Sequence, residues 1–419
     1  MNSHPIQLHV DDDLSRRRLT VFFRLLLALP HLVWVALWGI GALVAALANW
    51  VVTLIQGKSP DGLHRFLASY LRYVTHVYAY LSLAANPYPR PDGRPGYPVE
   101  VEIAPPVRQN RWSVAFRLVL ALPALVLGGQ LGSNGIDYVS GSRGGGLIQS
   151  VAVLGWFAIL ARGSMPRGLR DAAVYGIAYG AQLWGYLFLL TDRYPNSDPL
   201  RALGELPARE PAVDLESRDE LRRSRLTVFF RALLALPHLV WLALWSILTL
   251  SALIASWVAT LFTGRPPRAL WRFLARYLRY QTHVYAYLYL IANPFPGFAG
   301  ARESYPVEAL LAEGGAQNRW KVAFRLPLAI PAIIVEGAYS GVLLIVAVLG
   351  WFAALVTGRM PRGLCNAGAL ALGYGVQLGG YLLLLTDSYP YSGPYVRAQT
   401  VPRPSPGTPP LAPAPPESG

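Results

Sequence analysis

Residues 18–57 read RLTVFFRLLLALPHLVWVALWGIGALVAALANWVVTLIQG, and this stretch decides the fold. The run is almost free of charge, with Arg18 at its edge and Arg24 inside it. Water cannot solvate so much apolar surface, and a soluble domain has no room for several such runs. Because the chain contains the run four times, the sequence predicts a membrane protein built from repeats.

The repeats share one template of residues and spacings. RLTVFFRLLLALPHLVW at Arg18 returns as RLTVFFRALLALPHLVW at Arg225, and RWSVAFRLVLALPALV at Arg111 matches RWKVAFRLPLAIPAII at Arg319. An internal repeat of this kind indicates duplicated structural units. We therefore predict a first tandem copy over 1–196 (units one and two, 5–90 and 97–196) and a second over 211–394 (units three and four, 211–297 and 305–394). A polar linker over 197–223 overlaps the second copy, and a disordered Pro-rich tail covers 395–419.

Composition narrows the function class. Hydrophobic residues make up 53% of the chain and charged residues only 14%, with a formal net charge of +14. The arginines flank the apolar runs, which favours anionic lipid headgroups over nucleic acid as the partner. Cys365 is the single cysteine, so no disulfide forms within the chain. No metal-ligand spacing, phosphate loop or catalytic constellation is visible, and we expect no cofactor and no enzymatic activity.

Each unit is predicted to be a helical hairpin with a following helix. Unit two has 13 extra residues within GQLGSNGIDYVSGSRGG, and such a polar insert must turn outside the hydrocarbon. We therefore expect each apolar run to turn back on itself, with arms at 16–38 and 42–57 in unit one. The next segment is amphipathic in units one and three, but Gly- and Ala-rich and buried in units two and four. The predicted fold is thus an all-α integral membrane protein of four hairpin units.

A short strand is predicted before each hairpin, because PIQLHV, YPVEVEI, PAVDLE and YPVEALL alternate in hydrophobicity. These strands would lie on the cytoplasmic side and could pair into one small sheet. Basic residues at both ends of every hairpin predict the same cytoplasmic side for all of them, giving eight membrane-entering segments. The alternative is twelve spans with units of alternating orientation, as in transporters. We expect a multi-pass protein of the bacterial inner membrane with cytoplasmic termini.

These motifs resemble a bacterial membrane-protein family known as domain of unknown function 4389. The resemblance rests on YPVEVEI, then QNRWSVAFRLVLALPALV, the hairpin and the Tyr-Pro end. It covers most of 5–196 and 211–394 as two tandem two-unit copies. The resemblance implies no reaction and assigns no functional residue.

Two sets of candidate residues follow from the charges. The amphipathic segments place basic residues on one helical face, together with Ser69, and we predict that they contact lipid headgroups. These residues are Arg65, Arg72 and His76 in unit one, and Arg272, Arg276, Arg279 and His283 in unit three. The second set lies inside the apolar runs, where charge is costly: Arg24, Arg117, Arg231 and Arg325. These four either extend to phosphates at the membrane surface or converge on one buried polar cluster.

The first functional hypothesis is a structural, interaction or anionic-lipid-binding role, with protein partners unknown. The alternative is a transporter, channel or lipid-moving protein with inverted repeats, which the duplication favours.

Overall fold

The structure is a computed structural model that describes residues 4–133, 146–203, 206–312 and 314–397, and these residues are mostly helical. The helices are α1 (Arg18–Phe22), α2 (Arg24–Gln56), α3 (Asp61–Leu81), α4 (Arg111–Ala115), α5 (Arg117–Leu131), α6 (Leu147–Arg162), α7 (Arg167–Leu187), α8 (Pro199–Ala202), α9 (Arg225–Phe229), α10 (Arg231–Thr263), α11 (Arg268–Leu288), α12 (Arg319–Ala323), α13 (Arg325–Thr357) and α14 (Arg362–Leu382). The strands are β1 (Ile6–Val10), β2 (Val99–Ile103), β3 (Ala208–Arg209), β4 (Val213–Ser217), β5 (Val307–Leu311) and β6 (Val396–Arg397).

The same elements recur in each of the four units. A five-residue strand is followed by a five-residue helix, a long apolar region and a helix of 21 residues. We call α2, α5 with α6, α10 and α13 the long helices. We call α3, α7, α11 and α14 the tyrosine helices, because each has tyrosine at its thirteenth and twentieth positions. The predicted four-unit repeat and the strand before each unit are confirmed.

The predicted helical hairpins are wrong. In units one, three and four the apolar run is one continuous helix of 33 residues. Gly39 and Gly41, at the turn predicted between 38 and 42, lie inside α2, because a glycine costs a helix interior only about 1 kcal/mol. Gly39 lets the next helix approach, since a Cβ there would lie 2.9 Å from the hydroxyl of Tyr70. Gly39 thus serves close packing between helices.

Unit two has the same long helix in two pieces. Helix α5 ends at Gly132, which has a φ of 81°, and α6 begins at Leu147. Gly146 touches Gly132 so closely that a Cβ on Gly146 would lie 2.6 Å from the Gly132 nitrogen. The two pieces therefore meet end to end, and both pack against α13. The predicted turn itself, 134–145, lies outside the described residues, as does 398–419 of the predicted tail.

The elements of each copy form three layers. The long helices pack against the tyrosine helices, which in turn pack against the strands. The strands that precede the units form two separate antiparallel ribbons, β1 with β2 and β4 with β5, and β3 pairs with β6 in parallel. The expected pairing of the four unit strands into one sheet is therefore wrong. Alternation places Leu8 and Val101 inside and His9 and Glu102 outside. Each ribbon therefore covers the tyrosine helices with its apolar face and presents its polar face outward.

The two units of a copy contact each other through two equivalent hydrogen bonds, one donated by each unit. The indole of Trp50 donates to the carbonyl of Val114 (2.9 Å), and Trp156 donates to Val21 (3.1 Å). Trp257 and Trp351 repeat both bonds in the second copy. Arg18, in the helix before α2, donates to the carbonyl of Ala161 at the end of α6. The start of one long helix thus lies beside the end of its partner, and the two run antiparallel.

The two copies join through units two and four. Helix α13 packs against both α5 and α6. The hydroxyl of Tyr391 donates to Asp171 of α7, and the amide of Asn366 in α14 donates to Asp198 (3.0 Å). Each copy therefore sends its final segment onto the tyrosine helix of the other. The described parts of α2, α10 and α13 are long and apolar enough to cross a membrane, whereas the two pieces in unit two are shorter apolar helices.

Candidate anion-binding site

The four arginines inside the apolar runs are buried, and each finds its partners within its own unit. Each lies at the first residue of a long helix, over the ring of the second tyrosine of the tyrosine helix and against carbonyls that follow that helix. The ring contacts are Arg24 with Tyr80 (4.1 Å), Arg117 with Tyr186 (4.0 Å), Arg231 with Tyr287 (4.4 Å) and Arg325 with Tyr381 (4.5 Å). The carbonyl acceptors include Ala85, Thr191, Ala292 and Thr386. The structure does not bring these arginines together.

A second donor, missed by the sequence analysis, accompanies each of these arginines. It lies eight residues earlier and donates to the carbonyl of a leucine that ends the tyrosine helix with a φ near 60°. The pairs are Arg16 with Leu83, Gln109 with Leu189, Arg223 with Leu290 and Gln317 with Leu384. Cations and amide donors at a helix C-terminus satisfy carbonyls that lack partners inside the helix. The constant spacing of eight residues was the signal in the sequence.

The predicted basic face divides into an inner and an outer part. The inner part pairs with a ribbon carboxylate: Arg72 and His76 lie 2.8 and 3.4 Å from Glu100, and the same contacts recur in unit three. There Arg279 and His283 both lie 3.2 Å from Glu308. Glu100 and Glu308 are the glutamates of YPVEVEI and YPVEALL. The sequence analysis used these motifs for strands and missed the carboxylates as partners.

The ion pair of unit one changes the titration of its carboxylate. Burial alone would raise the pKa of Glu100, but a hydrogen bond and charge from His76, together with the amides of Tyr97 and Gly96, lower the pKa overall. The carboxylate is therefore held ionised between Arg72 and His76 at neutral pH. The inner part of the basic face thus binds the ribbon to the tyrosine helix.

The outer part of the face is exposed and includes Arg65, Arg272 and Arg276. In unit three it lines a pocket of about 900 Å³ between the first half of α11 and the loops around Gly300 and Gly314. This volume is within the range of ligand sites in proteins, about 300–1,000 Å³. Among the described residues that line the pocket there are five arginines and no carboxylate. They are Arg268, Arg272, Arg276, Arg279 and Arg302.

These arginines repel one another. Burial and the charges of Arg302 and Arg276 lower the pKa of Arg279, while Glu308 raises it. Arg268 is also the first residue of α11, where the helix dipole adds positive potential. An anion with several oxygens would relieve the repulsion and accept hydrogen bonds from the guanidinium groups. We call this set of five arginines the arginine pocket.

Unit one has no equivalent concentration of charge. The residues 207 positions before Arg268 and Arg276 are Asp61 and Ser69. The loop counterpart of Arg302 is Arg94, three residues before Tyr97, and it forms an ion pair with Asp92 (3.1 Å). Arg272, Arg279 and Arg302 thus have basic counterparts in unit one, but Asp92 neutralises Arg94 and Asp61 introduces a negative charge at the start of α3. The arginine pocket is therefore a property of the second copy.

Comparison with known proteins matches the chain to a family that has no assigned activity. The model of Domain of unknown function (DUF4389) matches residues 18–92, 225–299 and 319–392, which together exceed half of the chain. The matches cover units one, three and four singly, rather than two tandem two-unit copies. Each match begins at a short helix and extends past the tyrosine helix. No curated protein and no solved structure matches the chain.

Proposed function

The chain belongs to the DUF4389 family, and we propose that it is an integral membrane protein with a non-enzymatic role, which binds anionic lipid through the arginine pocket. The membrane part of the proposal rests on three helices long and apolar enough to span a bilayer. Our expectation that the membrane is the bacterial inner membrane, with both termini cytoplasmic, is part of the same proposal.

The arginine pocket is the observation that carries the binding proposal. Arg272 and Arg276 are exposed and lie one helical turn apart, and Arg302 adds its charge from a separate loop. Arginine guanidinium groups bind phosphate oxygens in a bidentate manner. Each basic residue near an anionic membrane surface contributes about 1 kcal/mol. A phosphate-bearing lipid headgroup therefore fits the charge and the size of this pocket.

The affinity of the purified, reconstituted full chain for a fluorescent anionic lipid tests the proposal, and flotation with vesicles separates bound from free protein. The double variant Arg272→Gln with Arg276→Gln removes two charges from the pocket. We expect about a 30-fold loss of affinity for anionic lipid, since two charges are worth about 2 kcal/mol. The loss should shrink as salt is raised, because salt screens exposed charges.

The matched control is Arg65→Gln, which removes the counterpart of Arg272 in unit one. It should change the affinity little, because unit one has no arginine pocket. Inorganic phosphate and a soluble diphosphate serve as competitors that lack acyl chains. Equal binding by the double variant and the native chain would contradict the proposal, and tight binding of soluble phosphate alone would assign the pocket to a soluble ligand.

A lipid-moving function is the second candidate, and an apolar cavity favours it. A cavity of about 390 Å³ lies between units one and two, lined by side chains of α2, α3, α6 and α7 such as Leu32, Val74, Ala152 and Ile177. Antiparallel units are also the arrangement expected of inverted repeats. Transbilayer movement of a labelled lipid in reconstituted vesicles tests this candidate. Ala152→Phe should slow the movement by filling the cavity, and a native chain that moves no lipid would contradict it.

A further inference from the structure

The long helices carry most of the exposed apolar surface of the described chain. On α2 this surface runs from Leu25 (75% exposed) through Ile40 (65%) to Ile55 (66%), almost from end to end. On α10 it runs in the same way from Leu233 (61%) to Phe262 (73%). Among the described residues, the tyrosine helices add only Phe66 to the large exposed apolar side chains, and β1, β2, β4 and β5 add none.

The opposite side of the molecule is polar. The ribbons cover the tyrosine helices on the side away from the long helices, and their outer faces carry ion pairs. His9 and Glu102 are 3.3 Å apart across the first ribbon, and Arg218 and Glu216 are 2.7 Å apart on the second. These side chains are 36–75% exposed. The described protein thus has one apolar layer and one polar layer, with the tyrosine helices between them.

The length of the apolar surface does not match the thickness of a membrane. A helix of 33 residues is about 50 Å long, whereas the hydrocarbon of a bilayer is about 30 Å thick. A vertical α2 would leave roughly a dozen residues of its apolar surface in the headgroups or in water. In addition, the tyrosine helices and the ribbons would have to cross the membrane with it, because they pack along it.

The charges at the two ends of the long helices give a second argument. Each long helix has exposed cations at both ends, for example Arg225 before α10 and Arg265 after it, or Arg18 before α2 and Lys58 after it. The long helices of a copy run antiparallel, so vertical helices would place equal positive charge on both sides of the membrane. Multi-pass proteins instead concentrate Arg and Lys on the cytoplasmic side.

We infer that the long helices lie along the membrane surface, embedded in a single leaflet, and that the protein does not cross the bilayer. Their apolar faces contact acyl chains, and the cations at both ends contact phosphates of the same leaflet. The ribbons then project into the solvent on that side. This inference rests on the proposed membrane association, but it replaces the multi-pass topology expected from the sequence with insertion into one leaflet.

The depth of three positions on α10 tests the inference. Leu244, Ser251 and Val258 are seven residues apart and share one exposed face. Each would be changed to cysteine in a Cys365→Ala background, spin-labelled, and measured with oxygen and a water-soluble relaxing agent in reconstituted vesicles. We expect three similar depths, roughly 5–10 Å below the headgroup boundary. A helix that spans would change depth by about 10 Å from one site to the next, and this result would overturn the inference.

A second measurement compares the two ends of the same helix. Ser224→Cys places an exposed thiol before α10, and Thr263→Cys places one at its last residue. An impermeant thiol reagent should label both in vesicles of one orientation and neither in the other, and Arg218→Cys on the ribbon should follow them. Labelling of the two ends from opposite sides would overturn the inference while leaving membrane association and the arginine pocket intact. Water exposure at all three depth positions would overturn the inference and the membrane proposal together.

Discussion

Units one and three have the same backbone plan and different surfaces. Both bury an arginine under the second tyrosine of the tyrosine helix, and both pair an arginine and a histidine with a ribbon glutamate. They differ where the tyrosine helix begins, with Asp61 and Ser69 in one unit and Arg268 and Arg276 in the other. The comparison separates internal contacts that hold the fold from an outer face that is free to acquire a function.

The largest expected effect concerns the shared internal pair. Glu308→Gln removes the partner of Arg279, whose side chain is only 6% exposed, and should lower the free energy of unfolding by about 3 kcal/mol. Glu100→Gln should cost about 1 kcal/mol, because Arg72 and Glu100 are 18% and 24% exposed and water screens their pair. Denaturant unfolding in detergent measures both variants. Equal losses would show that the two pairs are equivalent despite their different burial.

The next largest effect is expected when two substitutions build an arginine pocket in the first copy. Asp61→Arg with Ser69→Arg gives unit one the charges of Arg268 and Arg276. We expect a gain of about 2 kcal/mol in the binding of anionic vesicles, roughly 30-fold, with a steeper dependence on salt. Asp61→Asn with Ser69→Asn is the control, because it alters both sites without adding arginine. The absence of a gain would contradict the assignment of lipid binding to these charges.

A smaller effect tests the continuous helix of unit one. Unit three has Leu248 where unit one has Gly41. A Cβ at Gly41 would meet only the ring of Phe66, at 3.6 Å. Gly41→Ala should therefore stabilise the protein by up to about 1 kcal/mol, since alanine favours a helix interior. The midpoint temperature of thermal unfolding measures this stabilisation. A marked destabilisation by Gly41→Ala would contradict the continuous helix and favour a hairpin turn at this position.

The smallest effect is the pH dependence that Glu100 gives to the stability of unit one. The pKa of Glu100 is lower in the folded protein than its ordinary value of 4.5. The carboxylate therefore stabilises the fold above about pH 4.5, and this contribution is lost as the pH falls through the folded pKa. The stability difference between the native chain and Glu100→Gln should shrink between pH 6 and pH 3. A difference that stays constant over this range would contradict the assigned ionisation.

Much of the local structure could be predicted from the sequence. The recurrence of the units, the strand before each unit and the helix after each apolar run all follow from repeats and periodicity. The hairpins could not be predicted correctly, because glycines such as Gly39 and Gly41 occur both in turns and inside helices. Part of the arginine pocket could be predicted, because Arg272, Arg276 and Arg279 share a helical face. Arg302 could not, because it joins them only through tertiary packing.

The sequence by itself determined that this protein is a four-unit repeat with long apolar runs bounded by arginine. Apolar patterning and duplication are properties of the chain, so they need no knowledge of contacts. Only the tertiary structure decided what the charges do. Burial and partners separate Arg279, held by Glu308, from Arg276 on the exposed face one turn away. These partners come from strands and loops distant in the chain, and only the folded arrangement brings them within bonding distance.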